Sequence, residues 1–181
     1  MNLVHHDIAE PLRWLVGATL ERVVYHPLKE ECTADDLHAS DYIGGEIALH
    51  FQALAPRYIS WAENAGWRSH FTVKVSPESA FVPSALETFD ASSTNLWRET
   101  IGRKLTEVEC LGWDQSPHVL KLTFEAYPRF IGSSFQKRFG DGDDLFCCDA
   151  SDIPDLSGAS VIWRNNKANQ ALQATAAAPR S

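Results

Sequence analysis

The sequence predicts an α+β fold that is mostly antiparallel β-structure, built from two homologous halves related by pseudo-twofold symmetry. The first observation is an internal repeat: residues 12–23 return as residues 97–108, with Gly17 and Gly102 in equivalent places. The second is an alternating apolar run, Ile47, Leu49 and Phe51, which returns as Leu120, Leu122 and Phe124. Equivalent apolar positions in a repeat fill equivalent places in a core. The repeat therefore indicates architecture, but it does not indicate chemistry.

Each half is predicted to begin with a short helix. In the first half Ile8, Leu12 and Leu15 are spaced to lie on one helical face. In the second half, residues 92–94 are Ser, Ser and Thr, which are favoured N-caps, and Trp97 belongs to the apolar stripe that follows. Each helix is expected to end at the glycine of the repeat, because glycine is common just after a helix.

After each helix the sequence predicts a meander of four strands. Strands with one buried face alternate apolar and polar residues, and the turns between them are rich in Gly, Asn and Asp. The expected strands are 20–26, 47–51, one beginning at Tyr58, and 70–75 in the first half, then 105–111, 120–124, one beginning at Phe130, and 145–149 in the second. A closing strand is predicted at 160–163.

The two halves are expected to form a single domain over residues 1–164, with repeats at about 5–90 and 91–164. They can stack as a sandwich, close into one barrel, or continue a single sheet covered by helices, and the sequence leaves these alternatives open. Duplication with fusion buries within one chain the faces that a symmetric dimer would bury between two.

The first half contains an insertion of 12 residues between Pro27 and Gly45, where the offset between the halves falls from 85 to 73. Loops this long are uncommon inside compact domains and are often functional or disordered. A tolerated surface insertion is the alternative. We take this acidic segment as the first candidate for a binding site, with these candidate residues: Glu30, Glu31, Asp35, Asp36, His38 and Asp41.

Two tryptophans are candidate interface anchors. Trp67 and Trp113 each stand beside a glycine of an expected turn, where exposed aromatic side chains often anchor a partner. The alternative is that they seal the end of a sheet.

A second duplicated feature is the sequence Pro-Arg-aromatic-Ile, at 56–59 and again at 128–131. Its arginines, Arg57 and Arg129, are the only charged residues repeated in the central strands. The planar guanidinium group suits carboxylate or phosphate binding. The repeat therefore predicts either a pair of equivalent anion sites or two structural arginines at the sheet edge.

Composition restricts the classes of partner. The formal net charge of −8 disfavours nucleic-acid binding, which relies on clustered Lys and Arg. An acidic surface suits a basic protein partner, although negative charge also maintains solubility. The N-terminal residues lack a basic leader followed by an apolar stretch, so we expect no membrane insertion and a cytoplasmic location. Four cysteines without a C-x-x-C pair are typical of core residues in a reducing compartment.

The sequence contains no recognised catalytic or cofactor-binding motif. It lacks G-x-S-x-G, H-E-x-x-H, the phosphate-binding P-loop and the dinucleotide fingerprint. Residues 5–7, and the acidic segment with His38, include metal-ligand types but not a recognised ligand spacing. We therefore predict no catalytic residue, metal or cofactor. The absence of motifs disfavours an enzyme without excluding one.

The C-terminal residues 165–181 differ in composition from the rest of the chain. Residues 169–181, with the sequence NQALQATAAAPRS, have no aromatic residue and Thr175 as their only β-branched one. This tail resembles the translated recombination site that closes mobile integron gene cassettes. The resemblance implies a bacterial, laterally transferred accessory gene and a flexible tail, and it carries over no reaction and no catalytic residue.

Three functions from different classes follow from these observations. The leading hypothesis is a non-enzymatic binding or interaction protein, similar to acidic immunity factors, that uses the acidic segment as its contact surface. The alternative is a small-molecule-binding protein or enzyme with a pocket between the two halves. The third is a homo-oligomer in which exposed sheet edges pair between subunits.

Overall fold

The computed structural model describes residues 8–29, 42–63, 71–113, 116–133, 144–153 and 155–166. Within these ranges the chain forms one α-helix, α1 (Glu10–Leu12), a single turn of 3-10 helix (Pro83–Ala85) and eleven strands. The strands are β1 (Leu20–Pro27), β2 (Tyr42–Ile43), β3 (Gly45–Phe51), β4 (Arg57–Glu63), β5 (Phe71–Ser76), β6 (Phe89–Asp90), β7 (Leu105–Trp113), β8 (Ser116–Phe124), β9 (Tyr127–Ser133), β10 (Leu145–Cys148) and β11 (Ser160–Asn166).

The strands form two antiparallel sheets. The first has the order β5-β4-β3-β1-β6 and the second has the order β11-β7-β8-β9-β10-β2. Each sheet contains a four-stranded meander and one further strand beside the first strand of that meander, β6 beside β1 and β11 beside β7. The prediction of a mostly antiparallel β-fold is confirmed. Each expected strand is present, and the closing strand is longer than expected because it extends through Asn165 and Asn166.

Both sheets contribute to one hydrophobic core. The alternating residues of β3 and β8 that pointed to strands are buried, including Leu49 and Leu122, and they belong to the same cluster as Val23 and Ile131. Burying apolar surface between two sheets is the main stabilising contribution in such folds. The shared core between separate sheets corresponds to the sandwich alternative rather than to one continuous sheet.

The α+β class is a weak fit to the structure. Ile8, Leu12 and Leu15 are buried as expected, but α1 has only three residues. The region expected to hold the second helix forms consecutive turns. Its expected N-caps have other partners: the Ser92 hydroxyl accepts from the backbone N–H of Val23, and the Thr94 hydroxyl donates to the carbonyl of Ala91. The bond between Ser92 and Val23 competes with the capping of a helix at this point.

The two sheets meet where β1 and β7 begin. Thr19 and Lys104 form an isolated antiparallel bridge there. The N–H of Gly17 donates to the carbonyl of Leu105 at 2.7 Å, and the N–H of Gly102 donates to the carbonyl of Leu20 at 2.8 Å. Both glycines have a left-handed backbone, with φ of 98° and 79°. Glycine adopts this conformation without the steric cost of a side chain.

The acidic segment connects the two sheets. It leaves the first sheet at the end of β1, and the chain then enters the second sheet as β2, where Tyr42 pairs with Phe146 and Ile43 pairs with Leu145. Residues 30–41 between these points lie outside the described residues. Residues 167–181 of the tail lie outside them as well.

Candidate functional site

Most of the binding residues expected from the sequence lie outside the described part of the chain. These are Glu30, Glu31, Asp35, Asp36, His38, Asp41 and Trp67. Trp113 is described, and it is half-buried at the end of β7. Its indole N–H donates to the carbonyl of Ser157 at 3.2 Å, and its ring lies 5.4 Å from that of His118. Trp113 therefore packs at the end of the second sheet.

The duplicated arginines bind backbone carbonyls of the chain. Arg57 Nε donates to the carbonyl of Pro11 at 2.7 Å, and its Nη1 donates to that of Pro56 at 3.1 Å. Arg129 Nε donates to the carbonyl of Leu96, and its Nη1 donates to that of Pro128 at 2.8 Å. Each guanidinium thus connects the start of a strand to the turn that opens the same half. This geometry corresponds to the structural role that the sequence left open.

Arg57 also borders a surface pocket of about 470 Å³. The pocket lies between α1 and the end of the edge strand β5. Its walls come from three places in the chain: the start of α1, the first residue of β4, and the end of β5 with the residue that follows. The lining residues are Glu10, Pro11, Arg57, Lys74, Val75, Ser76 and Pro77.

The pocket contains more positive than negative side chains. Arg57 and Lys74 are cationic residues, and the single carboxylate, Glu10, lies 3.8 Å from the guanidinium of Arg13. Within the described ranges Lys74 forms no ion pair. Burial lowers the pKa of the Arg57 guanidinium from its ordinary value, because desolvation disfavours the charged form. The arrangement therefore favours an incoming negative charge.

The apolar part of the pocket wall is formed by two prolines and a core residue. Val75 points to the core and is almost fully buried, while Pro11 and Pro77 form the rim around it. The position of Pro77 is fixed by the segment that follows it, because the buried carboxylate of Glu46 accepts from the hydroxyl of Ser79 at 2.6 Å and from the N–H of Ala80 at 2.8 Å. A buried carboxylate that accepts two hydrogen bonds holds a segment in place.

A second charged cluster lies on the outer face of the other sheet. Glu109 on β7 is 5% exposed and accepts hydrogen bonds from Lys121 on β8 and Arg164 on β11. Burial alone raises the pKa of the Glu109 carboxyl, but these two cations outweigh it, and the pKa is lowered. The partners are both part of the protein, so this cluster connects three strands.

The described cysteines are buried among apolar side chains. Cys110, Cys147 and Cys148 are buried thiols. Burial raises the pKa of the Cys110 thiol to about 12, so this thiol is protonated at neutral pH and is a poor nucleophile. Cys147 and Cys148 pack in different apolar clusters on opposite faces of β10, as the alternation of a strand requires.

The described residues contain neither a candidate metal site nor a helix that could span a membrane. No group of three or more His, Cys, Asp or Glu side chains in the described ranges is placed to hold a metal ion. The helices in those ranges are all too short and too polar to cross a lipid bilayer.

Sequence reasoning identified Arg57 but missed Lys74. Lys74 alternates with buried residues of β5 and looks like any solvent-facing lysine of a half-buried strand. Its relevance depends on α1, which lies more than sixty residues earlier in the chain and packs against β5. The sequence does not predict that α1 and β5 are in contact, so nothing near Lys74 in the sequence marks it as a pocket residue.

Comparison with protein-family models, curated proteins and solved structures finds no match to this chain.

Proposed function

We propose that this protein is a non-enzymatic binding protein that takes a small anionic molecule in the pocket between α1 and β5. The observation that carries the proposal is the pairing of Arg57 and Lys74 in one concave site of a chain with a net charge of −8. In such a chain, two cationic side chains at one cavity create a local field opposite to that of the whole surface. That field favours a small anion over a cationic or neutral molecule.

The size of the pocket supports a small molecule rather than a macromolecule. Its volume of about 470 Å³ lies within the range of roughly 300–1,000 Å³ that is typical of small-molecule sites. The pocket differs in position from the one expected from the sequence, because its lining comes from the first half alone. Binding rather than catalysis is proposed because its hydroxyl, Ser76, accepts a hydrogen bond from the N–H of Glu78 and has no histidine among the lining residues to activate it.

The proposal is tested by isothermal titration calorimetry of the full chain with a panel of small anions, among them benzoate and inorganic phosphate. Lys74→Met removes one cation from the pocket, and we expect it to weaken binding of the preferred anion at least tenfold. Lys29→Met is the matched control, because Lys29 is an exposed lysine outside the pocket lining and its replacement changes the net charge equally. If no anion binds, or if the two variants weaken binding equally, the proposal is wrong.

We also propose that the two halves arose by duplication and share a pseudo-twofold axis near the bridge between Thr19 and Lys104. The hydrogen bonds around this bridge support the proposal, because they occur in pairs related by the 85-residue offset of the sequence repeat. Gly17 to Leu105 corresponds to Gly102 to Leu20. The bonds from Arg57 and Arg129 form a further pair, since their acceptors, Pro11 and Leu96, are also 85 residues apart.

The acidic segment remains a proposed contact surface for a basic protein. The net charge of −8 and the cluster of acidic side chains between Pro27 and Gly45 support this second function. Replacing Glu30, Glu31, Asp35 and Asp36 with their amides is expected to abolish salt-sensitive binding of a cationic peptide such as oligolysine. Unchanged binding would remove the idea. Self-association also remains a prediction, and light scattering coupled to size-exclusion chromatography measures it directly.

The composition of residues 165–181 supports the proposal of a mobile cassette origin. It is tested by the DNA sequence that follows the gene, in which an inverted-repeat recombination site overlapping the 3′ end is expected. Its absence there would refute the proposal.

A further inference from the structure

We propose that the ligand of this pocket is a small monocarboxylate with an apolar body, and that its carboxylate stands where the second half of the protein keeps one of its own. This inference rests on the proposed function and names the class of ligand. Arg57 and Arg129 belong to the same repeated motif, but their surroundings differ.

The strand register identifies the equivalent residues of the two surroundings. On the first sheet Tyr58, which follows Arg57, pairs with Ser76 at the end of β5. On the second sheet Phe130, which follows Arg129, pairs with Cys148 at the end of β10. The next residue along the chain is Pro77 in the first case and Asp149 in the second. Pro77 and Asp149 therefore occupy corresponding positions beside their arginines.

The second half has a carboxylate of its own, that of Asp149, at this position. Hydrogen bonds from Ser151 are the main cause of the lowered pKa of the Asp149 carboxyl, and the positive charge of Arg129 lowers it further. The register agrees with this, because Asp149 follows Cys148, whose partner Phe130 follows Arg129. Arg129 is only 4% exposed. The second half thus holds a carboxylate of the chain close to a buried arginine.

The first half lacks that carboxylate and has an open cavity in its place. Pro77 carries no charge, and Arg57 is more exposed than Arg129 and borders the pocket. A second difference between the halves concerns the edge strand of the first sheet and its counterpart in the second. The register places Lys74 opposite Ser60, at the position where the second half has the buried Phe146 opposite Gly132. Phe146 belongs to the apolar cluster on the outer face of the second sheet, and the first half has a cation at the corresponding position of its edge strand.

The remaining groups of the pocket favour a single negative charge over a double one. Nε and Nη1 of Arg57 are already bonded to backbone carbonyls, which leaves Nη2 and the Lys74 ammonium as donors. The carboxylate of Glu10 lines the same pocket and repels a second negative charge on the ligand. Pro11 and Pro77 offer apolar surface at the rim, which suits a hydrocarbon body beside the carboxylate.

The test uses calorimetric titration of the full chain with benzoate, its neutral amide benzamide, and inorganic phosphate. We expect benzoate to bind and to be weakened at least tenfold by Lys74→Met, while benzamide and phosphate bind at least tenfold more weakly than benzoate. The decisive variant is Pro77→Asp, which introduces the carboxylate of the second half. It is expected to reduce benzoate affinity at least tenfold, because the new side chain competes for the same cations.

Pro77→Asn is the matched control, since it has the same size without the charge, and it is expected to bind benzoate within threefold of the original chain. Pro77 is exposed and outside the strands, and circular dichroism of both variants checks that they fold. If phosphate binds and depends on Lys74 while benzoate does not bind, the proposed function stands and this inference is wrong. Equal benzoate affinity in the two Pro77 variants also overturns it. If no anion binds at all, the proposed function itself fails.

Discussion

Replacing Gly17 and Gly102 with alanine tests whether the two halves are equivalent. Both residues have a left-handed backbone, and a Cβ atom added to either would meet no other atom within 4 Å. The cost of each substitution is therefore confined to the backbone conformation. Because each N–H keeps its bond to a leucine carbonyl across the junction between the sheets, the substitutions remove no contact.

The expected magnitude follows from two opposing effects. An L-residue in the left-handed region costs roughly 1–2 kcal/mol. Alanine also restricts the unfolded chain relative to glycine, which stabilises the protein by about 0.4–1 kcal/mol. The net loss in the free energy of unfolding is thus about 0–1.6 kcal/mol at each site. Gly112→Ala is a contrasting variant, because its Cβ would lie 1.8 Å from the carbonyl oxygen of Ser116 and a larger loss is expected.

The assay is urea-induced unfolding followed by tryptophan fluorescence and by circular dichroism, whose agreement tests two-state behaviour. We expect Gly17→Ala and Gly102→Ala to lower the midpoint by similar amounts without changing the slope. A loss at one glycine that exceeds the other by more than about 1 kcal/mol would refute the reasoning, since equivalent backbone conformations without steric contacts cannot produce it. A loss at Gly112 no larger than at Gly102 would refute the steric argument.

Two further variants test buried polar groups. Glu109→Gln should lower the free energy of unfolding by about 1–3 kcal/mol, because Lys121 and Arg164 lose a charged acceptor. The folded-state pKa of Glu109 is lowered, so its stabilisation is present above the unfolded pKa and is lost as pH falls through the folded pKa. The difference in the free energy of unfolding between the variant and the original chain should therefore become smaller in acid. A difference that does not change with pH would contradict this. Tyr25→Phe should cost about 1–3 kcal/mol in urea unfolding, because the buried indole N–H of Trp97 donates to the Tyr25 hydroxyl at 2.6 Å; a neutral variant would show that this bond does not stabilise the fold.

The strands were predictable because their signal is local. Alternation in β3 and β8 reports which side chains face the core, and the two-residue period holds wherever one face is buried. The helices were less predictable. The turn around Trp97 carries an apolar stripe, yet the hydroxyl of Ser92, an expected N-cap, accepts from the N–H of Val23 on β1. Tertiary contacts therefore decided how much of that stripe became helix.

The sequence indicated only part of the candidate site. The repeat marked Arg57 and Arg129 as a pair and left open whether they bind anions or support the fold. The structure shows both bound to backbone carbonyls, and it places Arg57 beside a pocket. The difference between the surroundings of the two arginines depends on Lys74 and Pro77. Only the register of β4 with β5 shows that these two residues lie near Arg57.

By itself the sequence determined the antiparallel β character of the protein, the location of most strands and the residues that fill the core, because burial imposes a periodic pattern on neighbouring residues. Only the tertiary structure decided that these strands divide into two sheets around one core, and that the acidic segment connects them. The tertiary structure also determined the pocket. A cavity depends on the distances between elements that are far apart in the chain, and no local pattern of residues encodes those distances.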